Sequence, residues 1–436
     1  MPAFFRKFSA LASFGGLFVI LLDPFGLTSA TDAASARLLN QLLANGYETS
    51  ARQRIAVVLI DDDYLRQRDS HWPLPYAEQS KLFRQLLAYR PAAVMVDLMY
   101  SYDHSRGRNN DSSQLLGNVF ERYRAAGIPL YLASTGAAQA STLPELSAAS
   151  RPALVSWSGY QDQYPLAAET AEGWLDTAAF ALYRVHCSQH SCPPLPDTPR
   201  LAATEPPIAL QWGRGPAQEQ RHVSDISQCP AQPGPWRQTL ELVLRAIFWR
   251  ISSPAETLCP YHLTITASTL ATTVPEERAM LRELLADRLV LVGAAIESAE
   301  DLALSPVHGQ LPGVYSHAMA LDNLIQYGLD YFSAPPEVFG TEIDVLDLFE
   351  MAFVLFVLWF ESHRTDKYAR QQRITIPLCA VVFLLALSWL LYTLRITPVN
   401  VLGLLLLTGL LLPRQRQASH RAAPAPNSLV KGVPHA

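Results

Sequence analysis

Apolar residues fall along this chain in two patterns. Short continuous runs alternate with helically spaced ones through its middle, and long unbroken runs lie toward its ends. Ile55 to Asp61 (IAVVLID) is an uninterrupted β-rich run closed by an acid, the pattern of a strand buried on both faces. Leu82, Phe83, Leu86 and Leu87 then recur at helical spacing between Tyr76 and Tyr89, and Arg90-Pro91 stops them. Ala92 to Tyr100 (AAVMVDLMY) predicts a second buried strand, Leu115 to Ala126 a helix, and Gly127-Ile128-Pro129 a turn into a third strand, PLYLAS. Further on, Leu281 to Ala286 predicts a helix, RLVLVGAA another buried strand, and Val314 to Tyr327 a final helix. Such alternation implies an α/β fold, a mostly parallel sheet with helices on both faces. Between Ala153 and Ala267 the pattern is less regular. It predicts a loop-rich insertion with antiparallel strands in ALVSWSGY, PIALQWG and HLTITA.

The long apolar runs predict four transmembrane helices, one N-terminal and three C-terminal. They are Phe8 to Leu27, which Asp23-Pro24 interrupts, then Leu346 to Phe360, ITIPLCAVVFLLALSWLLYTL, and VNVLGLLLLTGLLL. Arg6 and Lys7 precede the first, Arg364, Lys367, Arg370 and Arg373 lie between the second and third, and Arg414, Arg416, Arg421 and Lys431 follow the last. Short basic loops stay cytoplasmic, so the large domain is expected on the opposite side. The first segment also reads as a cleaved signal peptide, which exports the domain equally well. The expected organisation is an anchor over residues 1–28, an extracytoplasmic domain over 29–340, a three-helix membrane region over 345–412, and a short disordered cytoplasmic tail over 413–436. Small residues in the last two spans, Ala386, Ser388, Gly403 and Gly409, suit close helix contact in a three-helix platform or a homodimer. Glu350 lies in the first turns of the second span, with Asp347 and Asp344 just before it, and at that shallow depth an interfacial acid facing water is expected.

Cysteine usage fits export. Cys187, Cys192, Cys229 and Cys259 all fall in the domain, while Cys379 falls in a span. Four cysteines on an oxidising side suggest two disulfides with three pairings open, of which the local one, Cys187 with Cys192 and Cys229 with Cys259, is preferred. HCSQHSC adds His186 and His190, but its spacing matches no familiar zinc pattern, and no metal is assigned. Proline concentrates between Pro193 and Pro260, as loop-rich sequence does. A net charge of -5 argues against a nucleic-acid partner.

The candidate chemistry lies at the predicted strand ends. Asp61, Asp62 and Asp63 follow the first strand, Asp97 ends the second, and Glu297, Glu300 and Asp301 follow the late one. Ligands of parallel sheets bind beyond the carboxyl ends of strands, so these acids are expected on one rim near His317 and Asn323. Oxygen ligands there suit Ca²⁺, Mg²⁺ or a cationic molecule. The competing reading is that acids at strand ends cap helices. Trp72-Pro73-Leu74-Pro75 is either a lip over a cleft or a packing plug, and the scattered Trp157, Trp174, Trp212 and Trp249 read as core. No nucleophile elbow, zincin helix or nucleotide loop is present, LVGAAIES has one glycine where a dinucleotide fingerprint needs three, and no cofactor or enzymatic activity is expected.

Several of these segments resemble, in one order, the type-two CHASE family of extracytoplasmic sensors in bacterial signalling proteins. IAVVLIDDDYL resembles the family's opening strand, and HWPLPYAEQSKLFRQLLAYRPAAVMVDLMY its Trp-Pro-x-Pro turn, helix and second strand ending in Asp. Leu289 to Gly328 resembles the closing block, a strand with Val-Gly, an Asp, then Pro-Gly-Val and a helix. The family's placement of the domain between one N-terminal and about three C-terminal spans is also similar. Two departures stand out. Tyr76 replaces the family's usual basic residue after the turn, and the tail is too short for the usual cytoplasmic output module. The resemblance implies a stand-alone sensor in the bacterial inner membrane, its domain in the periplasm. It would detect an unknown small-molecule or ionic signal and pass it through its membrane helices to a separate signalling protein. A non-sensory envelope scaffold is the alternative, and an envelope enzyme using the acidic rim a more distant one. Ligand-binding candidates are Asp61, Asp62, Trp72, Asp97, Asp301 and His317.

Overall fold

A computed structural model describes residues 35–36, 38–105, 111–157, 163–226, 229, 259–298, 301–336, 338, 344–362, 369–397 and 400–405. Six parallel strands form its central sheet in the order β4-β3-β2-β10-β1-β9. They are β1 (Ile55–Asp61), β2 (Ala93–Val96), β3 (Leu130–Ser134), β4 (Arg151–Leu154), β9 (Leu263–Thr266) and β10 (Leu289–Ala295). The helices connecting and covering them are α1 (Asp62–Gln67), α2 (Tyr76–Ala88), α3 (Ser113–Ala125), α4 (Ala178–Gln189), α5 (Pro275–Leu285) and α6 (Val314–Tyr327). Small antiparallel pairs decorate the sheet: β5 (Gln163–Tyr164) with β8 (Ile208–Ala209), β6 (Ala167–Thr170) with β7 (Gly173–Asp176), and β11 (Leu302–Ser305) with β12 (Gly309–Pro312).

The unbroken apolar run of β1 has a direct structural cause. Ile55, Val57 and Leu59 point into a core shared with α4 and α6, while Ala56, Val58 and Ile60 point into a second core shared with α2, α3 and α5. Both faces are dry, so no position in the run tolerates a polar side chain. The expected α/β architecture with two covered faces is therefore present. Two strands differ from expectation. ALVSWSGY and HLTITA were expected to be antiparallel, yet β4 and β9 pair in parallel with β3 and β1 and form the two edges of the sheet. Short edge strands carry too few residues for their pattern to betray a partner.

Ala33–Pro336 and Leu387–Pro398 make up one unit of the chain. Both disulfides lie in it, Cys187–Cys192 with Cα atoms 5.3 Å apart and Cys229–Cys259 at 5.6 Å, so the local pairing is the one formed. The remaining segments form a second unit. It contains α7 (Val345–Ser362) and the first part of α8 (Ala369–Thr393), whose last turns fall in the α/β unit. Glu350 on α7 differs from the expected water-facing acid: it is buried and accepts the backbone N–H of Asn400 at 3.1 Å. Cys379 is a free, exposed thiol. Among the described residues, no helix is long and apolar enough to cross a membrane. The Phe8 to Leu27 segment and the 413–436 tail lie outside the described residues, as does most of the last apolar run.

Gly293 shows how closely α6 is held to the sheet. A Cβ built there would lie 2.6 Å from the Val314 side chain, whereas one at Gly46 meets nothing within 4 Å. Gly293→Ala is expected to overpack this contact and to lower stability by ~1–3 kcal/mol. Gly46→Ala should stay within ~0.5 kcal/mol of the parent in the same denaturant titration, as surface substitutions usually do.

Candidate ligand site at the carboxyl rim of the sheet

Asp97 follows β2 directly, its backbone N–H bonded to the Val292 carbonyl of β10 at 2.7 Å. This fixes the residue at the carboxyl end of the sheet, beside the strand that the topology inserts between β1 and β2. Facing it is His317 in the first half of α6, with Nε2 3.8 Å from Asp97 Oδ2. That separation is too long for a hydrogen bond. The other ring nitrogen, Nδ1, lies 2.7 Å from the Tyr164 hydroxyl, which itself accepts the Ala179 N–H at the start of α4 at 3.0 Å. One proton is shared across this contact, and either the Tyr164 hydroxyl or the His317 ring supplies it.

Asp301 completes the group. Its carbonyl accepts the Gly313 N–H at 3.0 Å, and its carboxylate lies so close to Gly313 that a Cβ there would come within 2.5 Å of Oδ1. Gly313 has φ -54°, so this position needs glycine for space and not for the turn geometry its sequence context suggests. Trp157 closes one side, its ring 4.7 Å from Tyr164 and 6.3 Å from His317. The same tryptophan borders a cleft of about 590 Å³ at the carboxyl ends of β3 and β4, lined also by Thr135, Gly136, Ser156, Glu169 and Thr170.

Burial sets the protonation of the group. Desolvation pushes Asp97 up to about 7 and His317 down to about 4, with Asp301 a smaller, opposing influence on the histidine. Asp301 is also pushed up, first by partial desolvation and then by the charge of Asp97. Near neutral pH burial therefore favours a neutral ring at His317 and a partly protonated Asp97, and it shifts Asp301 in the same direction as Asp97.

Of the six ligand-binding candidates, Asp97, Asp301 and His317 come together. Asp61 and Asp62 do not join them. Asp61 caps α1 by accepting the Tyr64 N–H at 2.9 Å, and Asp62 accepts the Glu297 N–H at 3.1 Å. The first is the capping role that competes with ligand binding at a strand end, and the second ties the turn after β10 to α1. Trp72 packs against the core of α2 and α3 on the opposite face, in the manner of a plug. Tyr76 is buried and stacks on His104 at 4.1 Å. Asn323 belongs to a separate network: it accepts the Gln211 N–H and donates to the Gln211 carbonyl and the Tyr47 hydroxyl, each at 2.9 Å. Beside it, fully buried Asp322 accepts from Tyr47 at 2.7 Å and lies 3.1 Å from His262 Nε2. The sequence gives no sign of Tyr164 and reads Trp157 as core, because both come from the irregular insertion, where no periodicity marks a site. His186 and His190 stack at 4.3 Å, and the cysteines near them are oxidised, so no thiolate is offered to a metal.

The model of the CHASE2 domain family matches residues 16–359 of the chain. No curated protein and no solved structure matches it.

The two buried groups act on stability with opposite signs. Asp97, raised above its unfolded value, contributes stability that is present below about pH 4 and lost as pH rises through about 7. His317, depressed below its unfolded value, contributes stability that is present above about pH 6.5 and lost as pH falls through about 4. Asp97→Asn removes only the first. Its stability relative to the parent is expected to grow across that window, reaching a gain of ~1–4 kcal/mol above about pH 7, as read by denaturant titrations at several pH values. A difference that stays constant with pH would exclude a buried, raised Asp97.

Proposed function

The chain belongs to the CHASE2 domain family of extracytoplasmic sensor domains, and we propose that it is a membrane-anchored sensor of the bacterial inner membrane. Its α/β unit lies in the periplasm, held by one N-terminal and three C-terminal membrane helices. The Asp97, Asp301 and His317 rim takes up a small-molecule or ionic signal, which the membrane helices carry to a separate signalling protein. The role is binding and not turnover.

Helix α6 is the observation that carries this reading. Its first half brings His317 to the rim. Its second half holds the segment entering the unit: Tyr47 bonds Asp322 and Asn323, and Gln326 bonds Ser50 and Glu48. Just past its end, Asp330 pairs with Arg395, Ser333 exchanges backbone bonds with Arg395 and Thr397, and Phe332 packs on Tyr392 at 5.0 Å. One rigid element thus touches the ligand rim, the incoming chain and the last turns of α8. Membrane anchoring is supported by large apolar side chains left exposed on α7 and α8, among them Phe356, Trp359 and Val382, and by the basic residues flanking the apolar runs. Two disulfides in the α/β unit fit an oxidising compartment.

Reporter insertions test the topology. A reporter active only outside the cytoplasm is expected to work after Asp111 or Gly215 and to fail after Arg416, and the reverse pattern would refute the export of the domain. Coupling is tested in the full chain by hydrogen exchange. Asp97→Asn is expected to alter exchange in residues 40–50 and 390–397 through α6 while leaving α3 unchanged. Changes confined to the rim would refute transmission by this helix.

A further inference from the structure

Resting on the reading of this rim as the sensor's ligand site, we propose that it binds a small organic ammonium ion. The charged nitrogen lies between the carboxylates of Asp97 and Asp301, and the carbon body lies against the Trp157 ring.

Charge balance points there. Other shielded acids of the α/β unit are answered by protein groups: Asp176 by Arg184 at 2.7 Å, Asp322 by Tyr47 and His262, and Asp61 by the start of α1. The Asp97 side chain is only 10% exposed, yet its carboxylate accepts no hydrogen bond from any described residue. The His317 Nε2 nitrogen lies 3.8 Å away, beyond hydrogen-bond reach. Burial keeps His317 a neutral ring, so the imidazole does not balance the carboxylates. Among the described residues, no lysine or arginine lies close enough to shift either carboxyl. A buried carboxylate that no described residue answers is costly, and in this proposal the ligand supplies its counter-charge.

The surroundings select the kind of cation. Calcium takes six to eight oxygen ligands, and the described residues contain no group of three or more His, Cys, Asp or Glu side chains able to hold a metal. An ammonium group instead donates up to three directed hydrogen bonds, which suits two carboxylates on one side. Trp157 offers an aromatic surface to the adjacent polarised carbons. The described lining of the cleft beyond it holds Glu169 and hydroxyls and no basic side chain, leaving room for a substituent. Binding favours the ionised form of Asp97, so complex formation below about pH 7 releases a proton.

The test uses the full chain in detergent with methylammonium, ethanolammonium, choline and 1,4-diaminobutane chlorides as probes. Sodium, magnesium and calcium chlorides at matched ionic strength, sodium acetate and glucose serve as comparators. At least one ammonium probe is expected to raise the melting temperature saturably. Its affinity should climb about tenfold per pH unit below about pH 7. Asp97→Asn should weaken it at least about tenfold, while Asp63→Asn, at an exposed acid off the rim, leaves it unchanged. Absence of a saturable shift with every ammonium probe overturns the proposal. A shift that survives both Asp97→Asn and Asp301→Asn overturns the proposal and the rim as the ligand site together. An Asp97-dependent shift produced by magnesium, calcium, acetate or glucose, and not by the ammonium probes, overturns the cation class alone and leaves the rim standing.

Discussion

The architecture depends on a helix that is polar where it is most deeply buried. Along α6, His317, Asp322 and Asn323 sit among Ala318, Met319, Ala320, Leu321 and Leu324, all screened from solvent. Each buried polar group carries a desolvation cost that only a specific partner offsets. Tyr164 meets His317, Tyr47 and His262 meet Asp322, and the Gln211 backbone pairs with Asn323 in the manner of a neighbouring strand. Apolar packing alone would leave the helix free to slide or rotate by small amounts. These pairings fix its register against the incoming chain, the insertion and β9 at once.

That register gives the rim its electrostatic character. Gly293 and Gly313 let the start of α6 approach β10 and Asp301 without obstruction, and the Asp97 side chain at this rim is only 10% exposed. In such a space a carboxyl without donors stays largely protonated up to neutral pH, and a histidine without a counter-ion stays neutral. The same shielding that destabilises the free site makes any cation entering it count for more than it would at the surface. Asp61 and Asp62 show the contrast. They stand at an equivalent strand end, but backbone N–H groups already answer them, and nothing remains for a ligand to satisfy.

How much of this was legible in the sequence depended on burial. β1, β2 and β10 are central strands with both faces dry, and their unbroken apolar runs announced them. β4 and β9 lie at the edges and are four residues long, so nothing local revealed that they join the parallel sheet. At the rim, Asp97, Asp301 and His317 were legible because the strand-end rule places them without knowledge of contacts. The rule does not separate a capping acid from an unanswered one, since that depends on where neighbouring N–H groups fall. Tyr164 and Trp157 lie beyond it altogether, supplied by a segment whose position is set by the tertiary fold. Glu350 was misjudged for a related reason: its burial depends on Asn400, fifty residues away.

A sensor also requires that its ligand favour one arrangement over another, since equal affinity for two states shifts neither. The register contacts of α6 are satisfied in this structure and supply no bias of their own. The unanswered carboxylate does. Without a counter-charge, the enclosed rim is penalised by desolvation of Asp97, and any movement of α6 that admits water there relieves the penalty. With a cation bound, the enclosed form becomes the one in which every charge is answered. If the rim binds a cation as proposed, the preference for one helix position changes with occupancy, and Tyr47 and Arg395 would report that position because they are bonded to α6 and to the segment just beyond its end. Coupling of this kind needs no conducting chain of residues between rim and exit. It needs one buried helix whose polar contacts keep it rigid and one site on it whose electrostatic balance is left open.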